Sequence, residues 1–290
     1  MKQEITIDGL KLNINIEEAG SGDTTILFVH GIPTNARLWR HVQAHLKDRY
    51  RTLAMDMVGY GQSDMPLNDF KHTLTNQAEA IKGVIEALNL KGKVILVGHD
   101  HGGGVCQIFA SKYCDYISRL ALFNCVSFDY WPVLEVEAFA PLDGVEDDAI
   151  LGAAMGQAAA GFAGLLRTGS HDKMAFTDQN VKQNYLQFWG RGPGFHGFKS
   201  LIRVCNDPTN EETMNVDHSK ITCPTLVCWG KYDAFMPVEA GRRLKKAIAG
   251  PTRFQIIDKA GHYVPEDRPD VVADYLDDFI TEWEGVEISS

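Results

Sequence analysis

The chain has 290 residues and a mass of 32.2 kDa, and its 44% hydrophobic and 23% charged residues are typical of an ordinary globular protein. Asp and Glu number 38 against 28 Lys and Arg, so the net charge at pH 7 is −10. Because nucleic acids and anionic membranes attract basic surfaces, this balance argues against both as partners.

Neither the cysteines nor the N-terminal segment points to secretion. The six cysteines form no C-x-x-C pair, and four lie inside apolar runs such as LALFNCV, so we expect buried free thiols of a reducing compartment. The start, MKQEITIDG, lacks the basic and apolar regions of a signal peptide. The segment Ala149 to Leu166 is mostly Ala and Gly, which predicts too little apolarity to span a bilayer. We therefore expect a cytoplasmic protein.

The first half of the chain predicts alternating strands and helices. Two alternating segments flank Asp8-Gly9, which indicates a β-hairpin. Unalternated apolar runs then predict strands of a parallel sheet buried on both faces, at Ile26–Val29, Thr52–Met55, Val94–Val97 and Leu120–Phe123. Between the second and third runs, LTNQAEAIKGVIEALNL has the spacing of an amphipathic helix. This alternation predicts an α/β domain.

The alternation stops near Tyr130 and resumes at CPTLVCWG and TRFQIID, before a last helix around Val271–Trp283. Between these limits the patterns are helical, with a small-residue helix at AILGAAMGQAAAGFAGLL, an amphipathic one at QNVKQNYLQFW and a breaker at RGPGFHG. The simplest organisation is one α/β core, residues 1–129 and 217–290, interrupted by a helical cap at 130–216.

The segment VILVGHDHGGG, residues 94–104, carries the chemistry. A buried strand runs directly into Gly98-His99-Asp100-His101-Gly102, and a helix follows. This is the G-x-nucleophile-x-G elbow, with Asp where Ser is commoner. Side chains at Gly98 or Gly102 would collide with neighbouring elements, and the turn lifts Asp100 above the sheet beside a helix N-terminus that favours an anion. A purely structural role would make Asp100 a helix N-cap.

With this elbow, four further motifs make the chain resemble the α/β-hydrolase superfamily over essentially its whole length. They are His30-Gly31-Ile32-Pro33, MDMVGYGQSD at 55–64, CWGKYDAFMP at 228–237 and AGHYVPEDRP at 260–269. The resemblance implies an α/β-hydrolase fold, with a mostly parallel central sheet flanked by helices and an inserted helical cap. It also implies the order Asp100 as nucleophile, Asp233 as acid and His262 as base.

The G-H-D-x-G-G pattern resembles that of haloalkane dehalogenases, fluoroacetate dehalogenases and epoxide hydrolases. There a carboxylate attacks an sp³ carbon, and water activated by the histidine hydrolyses the resulting ester. The resemblance implies an oxyanion hole from the N–H groups of Ile32 and His101, and a small-molecule substrate. Asn124 ends a strand at which some dehalogenases carry their catalytic acid. An Asn side chain cannot serve as that acid, which supports Asp233, and Asp129 is a second candidate. No cofactor or metal is implied, and no metal-ligand spacing is present.

Two observations choose between these chemistries. Haloalkane dehalogenases usually hold the halide with a Trp after the nucleophile and an Asn after His-Gly, where this chain has His101 and Ile32. This favours epoxide opening, for which Tyr130 and Tyr185 are the candidate cap acids. Phe162, Leu165 and Leu166 are expected to set the pocket size. The residues expected to contact substrate are Trp39, Tyr130, Trp131, Tyr185, Phe188 and Trp189.

Other functions stay open at this point. Haloalkane dehalogenation is the main alternative to epoxide hydrolysis. An ester or lactone hydrolase in which Asp100 acts as a base, and a receptor that binds a small molecule without turning it over, are further ones. We expect a monomer or a homodimer, and the sequence does not specify the natural substrate.

Overall fold

A computed structural model of the protein describes residues 1–92, 94–131, 133, 140–192, 195–205 and 211–282. Eight strands form one sheet in the order β1-β2-β4-β3-β5-β6-β7-β8. Strands β1 and β2 are antiparallel to their neighbours and the other six are parallel. The strands are β1 (Lys2–Ile7), β2 (Leu10–Ala19), β3 (Thr25–Val29), β4 (Arg51–Met55), β5 (Val94–His99), β6 (Ile117–Cys125), β7 (Thr225–Gly230) and β8 (Thr252–Ile257).

Helices follow or separate the strands, as the alternation predicts. They are α1 (Arg40–Leu46), α2 (Leu74–Ala87), α3 (Asp100–Tyr113), α4 (Asp148–Gly169), α5 (Asp178–Asn184), α6 (His196–Cys205), α7 (Glu211–Met214), α8 (Val238–Ala247), α9 (Val264–Asp267) and α10 (Pro269–Thr281). Helices α2, α3 and α8 pack on the sheet face that includes Leu27 and Val29. Helices α1 and α10 pack on the opposite face, against Ile26 and Phe28. The predicted fold class, a mostly parallel sheet flanked by helices, is confirmed.

The predicted hairpin is also confirmed. Asp8 and Gly9 connect β1 to β2 with φ angles of +49° and +85°. A two-residue turn with positive φ at both positions matches the twist of the flanking strands, and Asp-Gly suits it because Gly has no Cβ to clash.

The described residues between β6 and β7 form helices α4 to α7 and no strand. The predicted amphipathic helix at 179–189 is wrong in its extent, because α5 ends at Asn184 and Tyr185 leaves helical geometry with φ −125° and ψ −60°. The breaker at 191–197 lies partly outside the described residues, and α6 begins at its His196. The cap boundaries at 130 and 216 stay a prediction.

Helix α4 differs from the expectation in one respect. By length and composition alone it is apolar enough to cross a membrane, although only 17% of its most apolar window is buried within the protein. Core helices of soluble proteins pass the same test, but those are mostly buried and this helix is mostly exposed. The absence of a membrane partner stays a prediction.

Candidate active site

The carboxyl ends of β3, β5, β6, β7 and β8 converge on one edge of the sheet, and Asp100 lies at the centre of this edge. It follows β5 directly as the first residue of α3 and has a φ of +53°. A Cβ at Gly102 would lie 2.1 Å from the carbonyl oxygen of His30, and one at Gly98 would lie 2.7 Å from Cys106 Sγ. The predicted need for glycine on both sides of the elbow is therefore confirmed, and the close packing maintains the strained backbone of Asp100.

Backbone N–H groups bind the Asp100 carboxylate. The N–H of Ile32 donates to Oδ1 at 2.7 Å, and the backbone N–H of His101 is a second hydrogen-bond donor. The loop that carries Ile32 comes so close that a Cβ at Gly31 would lie 2.2 Å from Oδ1. The structure thus brings together the two N–H groups predicted as an oxyanion hole, and they surround the carboxylate of Asp100 itself.

His30 shapes this loop from within the core. Its Nε2 accepts the N–H of Met57 at 3.1 Å, and its Nδ1 donates to the carbonyl of Gly31 at 3.0 Å. Burial lowers the pKa of His30 to about 4, so the ring is neutral at pH 7 and can do both. His30 therefore helps to position the N–H of Ile32.

His262 and Asp233 complete a chain of three polar side chains. His262 Nε2 lies 3.4 Å from Asp100 Oδ2, and its Nδ1–H donates to Asp233 Oδ2 at 3.1 Å. Asp233 Oδ1 accepts two backbone N–H groups, from Phe235 at 2.8 Å and Met236 at 3.0 Å. The chain order predicted from the sequence corresponds to a continuous contact path in space.

Asn124 at the end of β6 supports Asp233 from the neighbouring strand. Its Nδ2 donates to Asp233 Oδ2 at 2.7 Å, and its Oδ1 accepts the N–H of Gly230 at 3.0 Å. Asn124 has a φ of +44°, a left-handed conformation that Asn tolerates better than most residues. The second candidate acid, Asp129, is exposed and pairs with Arg243 at 2.5 Å, so of the two candidates it is Asp233 that contacts His262.

The three charges stabilise one another. Burial disfavours a charged imidazole, but the carboxylates of Asp233 and Asp100 outweigh it and raise the pKa of His262 to about 10. Burial also acts to raise the pKa of Asp100 and of Asp233, but in both the contacts with His262 outweigh it and the net shift is downward. The resting site therefore holds an imidazolium between two carboxylates.

His101 and Trp131 bring unpaired nitrogen atoms next to this triad. Both side chains are buried, their ring centroids lie 5.3 Å apart, and neither His101 ring nitrogen nor Trp131 Nε1 has a hydrogen-bond partner among the described residues. Burial lowers the pKa of His101 to about 4, so its ring is neutral and carries one N–H. Of these two side chains, Trp131 lines the cavity that contains Asp100.

A cavity of about 430 Å³, including its open mouth, connects Asp100 and His262 to solvent. Of the six residues predicted to contact substrate, Trp131 lines it, and so do Phe162 and Leu165 of α4 as expected. The lining residues that the sequence analysis missed are Pro33, Val133, Phe235, Met236 and Tyr263. Four of these, all but Val133, lie within the recognised loop motifs, which was the signal available for finding them.

Trp39 and Tyr130 were predicted wrongly as lining residues. Trp39 is fully buried on the α1 face of the sheet, where its ring packs against Phe28 at 4.7 Å and Phe123 at 6.2 Å. Tyr130 is half-buried against the core and does not line the cavity. Leu166 also lies in the core rather than at the cavity.

Tyr185, Phe188 and Trp189 lie around a second, smaller cavity of about 270 Å³ on the other side of Pro33. The Tyr185 hydroxyl donates to the buried carboxylate of Glu266 and accepts from Arg40 at 3.3 Å. Trp189 packs behind Phe162, with ring centroids 4.6 Å apart. None of the three lines the cavity that contains Asp100, so their predicted contact with substrate is not supported.

The chain is similar in sequence to a known family and to curated proteins. A model of the family described as alpha/beta hydrolase fold matches residues 24–269. "Epoxide hydrolase 2" of Caenorhabditis elegans is 28% identical over 281 residues, which cover 92% of this chain and 76% of that protein. "Epoxide hydrolase 4" of Mus musculus is 25% identical, with 90% and 74% covered.

Solved structures share the fold at lower sequence identity. The "Epoxide hydrolase CorEH without ligand" superposes with a TM-score of 0.77 at 21% identity, covering 98% of this chain and 99% of that one. A thermophilic esterase from Thermogutta terrifontis superposes equally well, with a TM-score of 0.77, 21% identity and coverage of 97% and 98%. Since an epoxide hydrolase and an esterase fit alike, the backbone alone does not distinguish the reaction.

Proposed function

This chain belongs to the alpha/beta hydrolase family and is a hydrolase, and on that premise we propose that it hydrolyses epoxides through a covalent ester on Asp100. One observation carries the proposal: a carboxylate occupies the elbow at the bottom of a largely apolar cavity, with His262 Nε2 at 3.4 Å. The names of the two relatives support the choice of an epoxide.

In the first step, Asp100 attacks a ring carbon of the epoxide. The low pKa of Asp100 keeps it ionised at neutral pH, and the N–H of Ile32 holds Oδ1 so that Oδ2, which we assign as the attacking oxygen, is fixed in place. A carbon–oxygen bond forms to Oδ2 while the epoxide carbon–oxygen bond breaks. The epoxide oxygen takes up a proton and becomes a hydroxyl group on the ester.

The donor to this oxygen is assigned to two side chains that line the cavity. Tyr263 carries a phenol that can give up a proton, whereas the indole N–H of Trp131 can only donate a hydrogen bond. We therefore assign Tyr263 as the proton donor and Trp131 as the second hydrogen-bond donor. They take the roles that the sequence analysis gave to Tyr185 and Tyr130.

In the second step, His262 activates water. The ester removes the negative charge of Asp100, which is one of the charges that raise the pKa of His262, so that pKa falls. The imidazolium then returns a proton to the Tyr263 phenolate, which leaves a neutral imidazole that can act as a base. Water attacks the ester carbonyl, its proton passes to His262, and Asp233 stabilises the imidazolium. The N–H groups of Ile32 and His101 bind the oxyanion, and the ester bond breaks. The leaving alkoxide takes the remaining proton of the added water and departs as the diol, so Asp100 is again a carboxylate and His262 an imidazolium.

Haloalkane dehalogenation is the second candidate. The buried indole N–H of Trp131 favours it, because this donor lines the cavity, has no partner among the described residues, and a departing halide needs a hydrogen-bond donor but no proton. The same ester on Asp100 would form, with loss of halide instead of ring opening. The two candidates therefore differ in the first step only.

The decisive experiment is intact-protein mass spectrometry of His262→Gln after incubation with a panel of epoxides and, separately, of haloalkanes. Without its base the enzyme should stall at the ester. We expect an adduct with the mass of the whole epoxide, located on Asp100 by peptide mapping and absent from the double variant that also carries Asp100→Asn. An alkyl adduct without its halogen would establish dehalogenation instead. Adducts from neither panel, together with turnover of simple esters, would contradict both candidates.

A further inference from the structure

Two cysteines meet at the edge of the sheet opposite Asp100. Cys114 lies where α3 ends and the chain turns into β6, and Cys223 lies just before β7. Because β6 and β7 are parallel neighbours, their amino ends lie side by side, and so do the two cysteines. The candidate catalytic groups follow the carboxyl ends of β5, β7 and β8, on the opposite edge of the sheet.

The sulfur of Cys114 accepts hydrogen bonds from two directions. The backbone N–H of Cys223 lies 3.3 Å from Cys114 Sγ, and the Thr222 hydroxyl lies 3.6 Å from it. The thiol of Cys223 is also a hydrogen-bond partner of this sulfur. Burial acts against the thiolate, but these donors outweigh it and lower the pKa of Cys114, which favours the nucleophilic form.

Other thiols in the described part of the chain are in a different environment. Cys106, Cys125 and Cys228 are fully buried, and their burial raises the pKa of each thiol. Cys114 is partly exposed, so it is the accessible member of this set. The expectation that the cysteines are buried therefore holds for Cys106, Cys125, Cys223 and Cys228 but not for Cys114.

We propose that Cys114 and Cys223 are a redox-sensitive pair, in which a hydroperoxide oxidises Cys114 and Cys223 then closes a disulfide with it. The Cys114 thiolate attacks the peroxide, the oxygen–oxygen bond breaks, and sulfur is oxidised to sulfenic acid while the peroxide is reduced and leaves as hydroxide. The Cys223 sulfur then attacks Cys114, its proton leaves with the sulfenic oxygen as water, and the disulfide forms. A dithiol reductant reverses the reaction.

The bond would close a long loop. Cys114 and Cys223 are 109 positions apart, and the chain between them includes β6 and helices α4 to α7. Linking residues this distant restricts the unfolded chain strongly, so we expect oxidation to raise the melting temperature by about 5 °C or more. Hydrolytic activity should be unchanged, because the pair lies at the opposite edge of the sheet from Asp100.

The test uses the full chain with Cys205→Ser, so that the one cysteine whose side chain lies outside the described residues cannot contribute. The protein is treated with hydrogen peroxide, its remaining thiols are alkylated after denaturation, and the alkyl groups are counted by intact mass. We expect two fewer alkylated thiols, a Cys114–Cys223 peptide in a non-reducing digest, and full recovery after dithiothreitol. The melting temperature is measured in the same samples.

Two matched variants separate the steps. With Cys223→Ser added, oxidation should stop at the sulfenic acid of Cys114, which dimedone labels. With Cys114→Ser added, neither a crosslink nor a label should form at the same peroxide dose. Retention of all thiols, a crosslink between other cysteines, or over-oxidation of Cys114 without a crosslink would each overturn the proposal.

Discussion

At the scale of single residues, the indole N–H of Trp131 has the clearest link to catalysis. It is buried at the cavity that contains Asp100 and has no partner among the described residues. Trp131→Phe keeps the aromatic ring but removes the donor, so we expect kcat to fall by about 10²-fold while KM changes little, since the bond is made mainly to the developing charge.

The matched control for this variant is Trp189→Phe. Trp189 is also a buried tryptophan, but it packs behind Phe162 around the second cavity. Steady-state kinetics of both variants on the substrate found in the adduct experiment should show the loss for Trp131 alone. An equal loss in both would mean that packing, rather than hydrogen bonding, explains the effect.

A substitution at Tyr185 tests whether this residue, expected from the sequence to be a cap acid, takes part in the reaction. Its hydroxyl is bound within a buried cluster with Glu266 and Arg40, away from the cavity. We expect Tyr185→Phe to cost about 1–3 kcal/mol of unfolding free energy, because Glu266 loses a buried hydrogen bond, and to leave kcat nearly unchanged. Denaturant titration and single-turnover alkylation measure the two effects. A large loss of alkylation rate in a stable variant would restore Tyr185 as the acid.

At the scale of secondary-structure elements, the contact of α3 with the loop after β3 is the critical one. Gly102→Ala would place a methyl group 2.1 Å from the His30 carbonyl oxygen, so we expect a loss of at least about 3 kcal/mol, measured by thermal and denaturant unfolding. Gly164→Ala in α4 is the matched control, with no atom within 4 Å of the added carbon. This variant should be neutral or up to about 1 kcal/mol more stable, because Ala favours a helix over Gly. Similar changes in both would contradict the packing argument.

At the scale of the whole molecule, the triad makes stability depend on pH. The pKa of His262 rises from about 6.5 in the unfolded chain to about 10 in the folded protein. Between about pH 6.5 and 10, therefore, the imidazole is protonated in the folded state but not in the unfolded state. The contribution is full below about pH 6.5 and is lost as the pH rises through about 10. We expect the stability difference between the wild type and His262→Gln to shift against the wild type from pH 7 to 10.5. A stability difference that does not change with pH would contradict a charged His262 between the carboxylates of Asp100 and Asp233.

Much of this architecture could be predicted because its signals are local. The elbow at Asp100 and the loop of Asp233 follow the buried strands β5 and β7, and the loop of His262 follows the edge strand β8. Parallel strands bring their carboxyl ends to one edge of the sheet. The positions of Tyr185 and Trp39 could not be predicted in this way. Tyr185 depends on a helix break and a distant Glu266, and Trp39 on which sheet face α1 covers; neither has a local pattern.

The amide–carboxylate contact between Asn124 and Asp233 has a consequence for how the position of the acid can change in evolution. These residues end neighbouring strands, and their side chains already touch at 2.7 Å. A reciprocal exchange, Asn124→Asp with Asp233→Asn, would keep nearly the same atoms in the same places while moving the negative charge from one strand to the other. A lineage could therefore relocate its acid with two substitutions and no change of backbone. The strand that carries the acid is then a poor marker of kinship among relatives that share this contact.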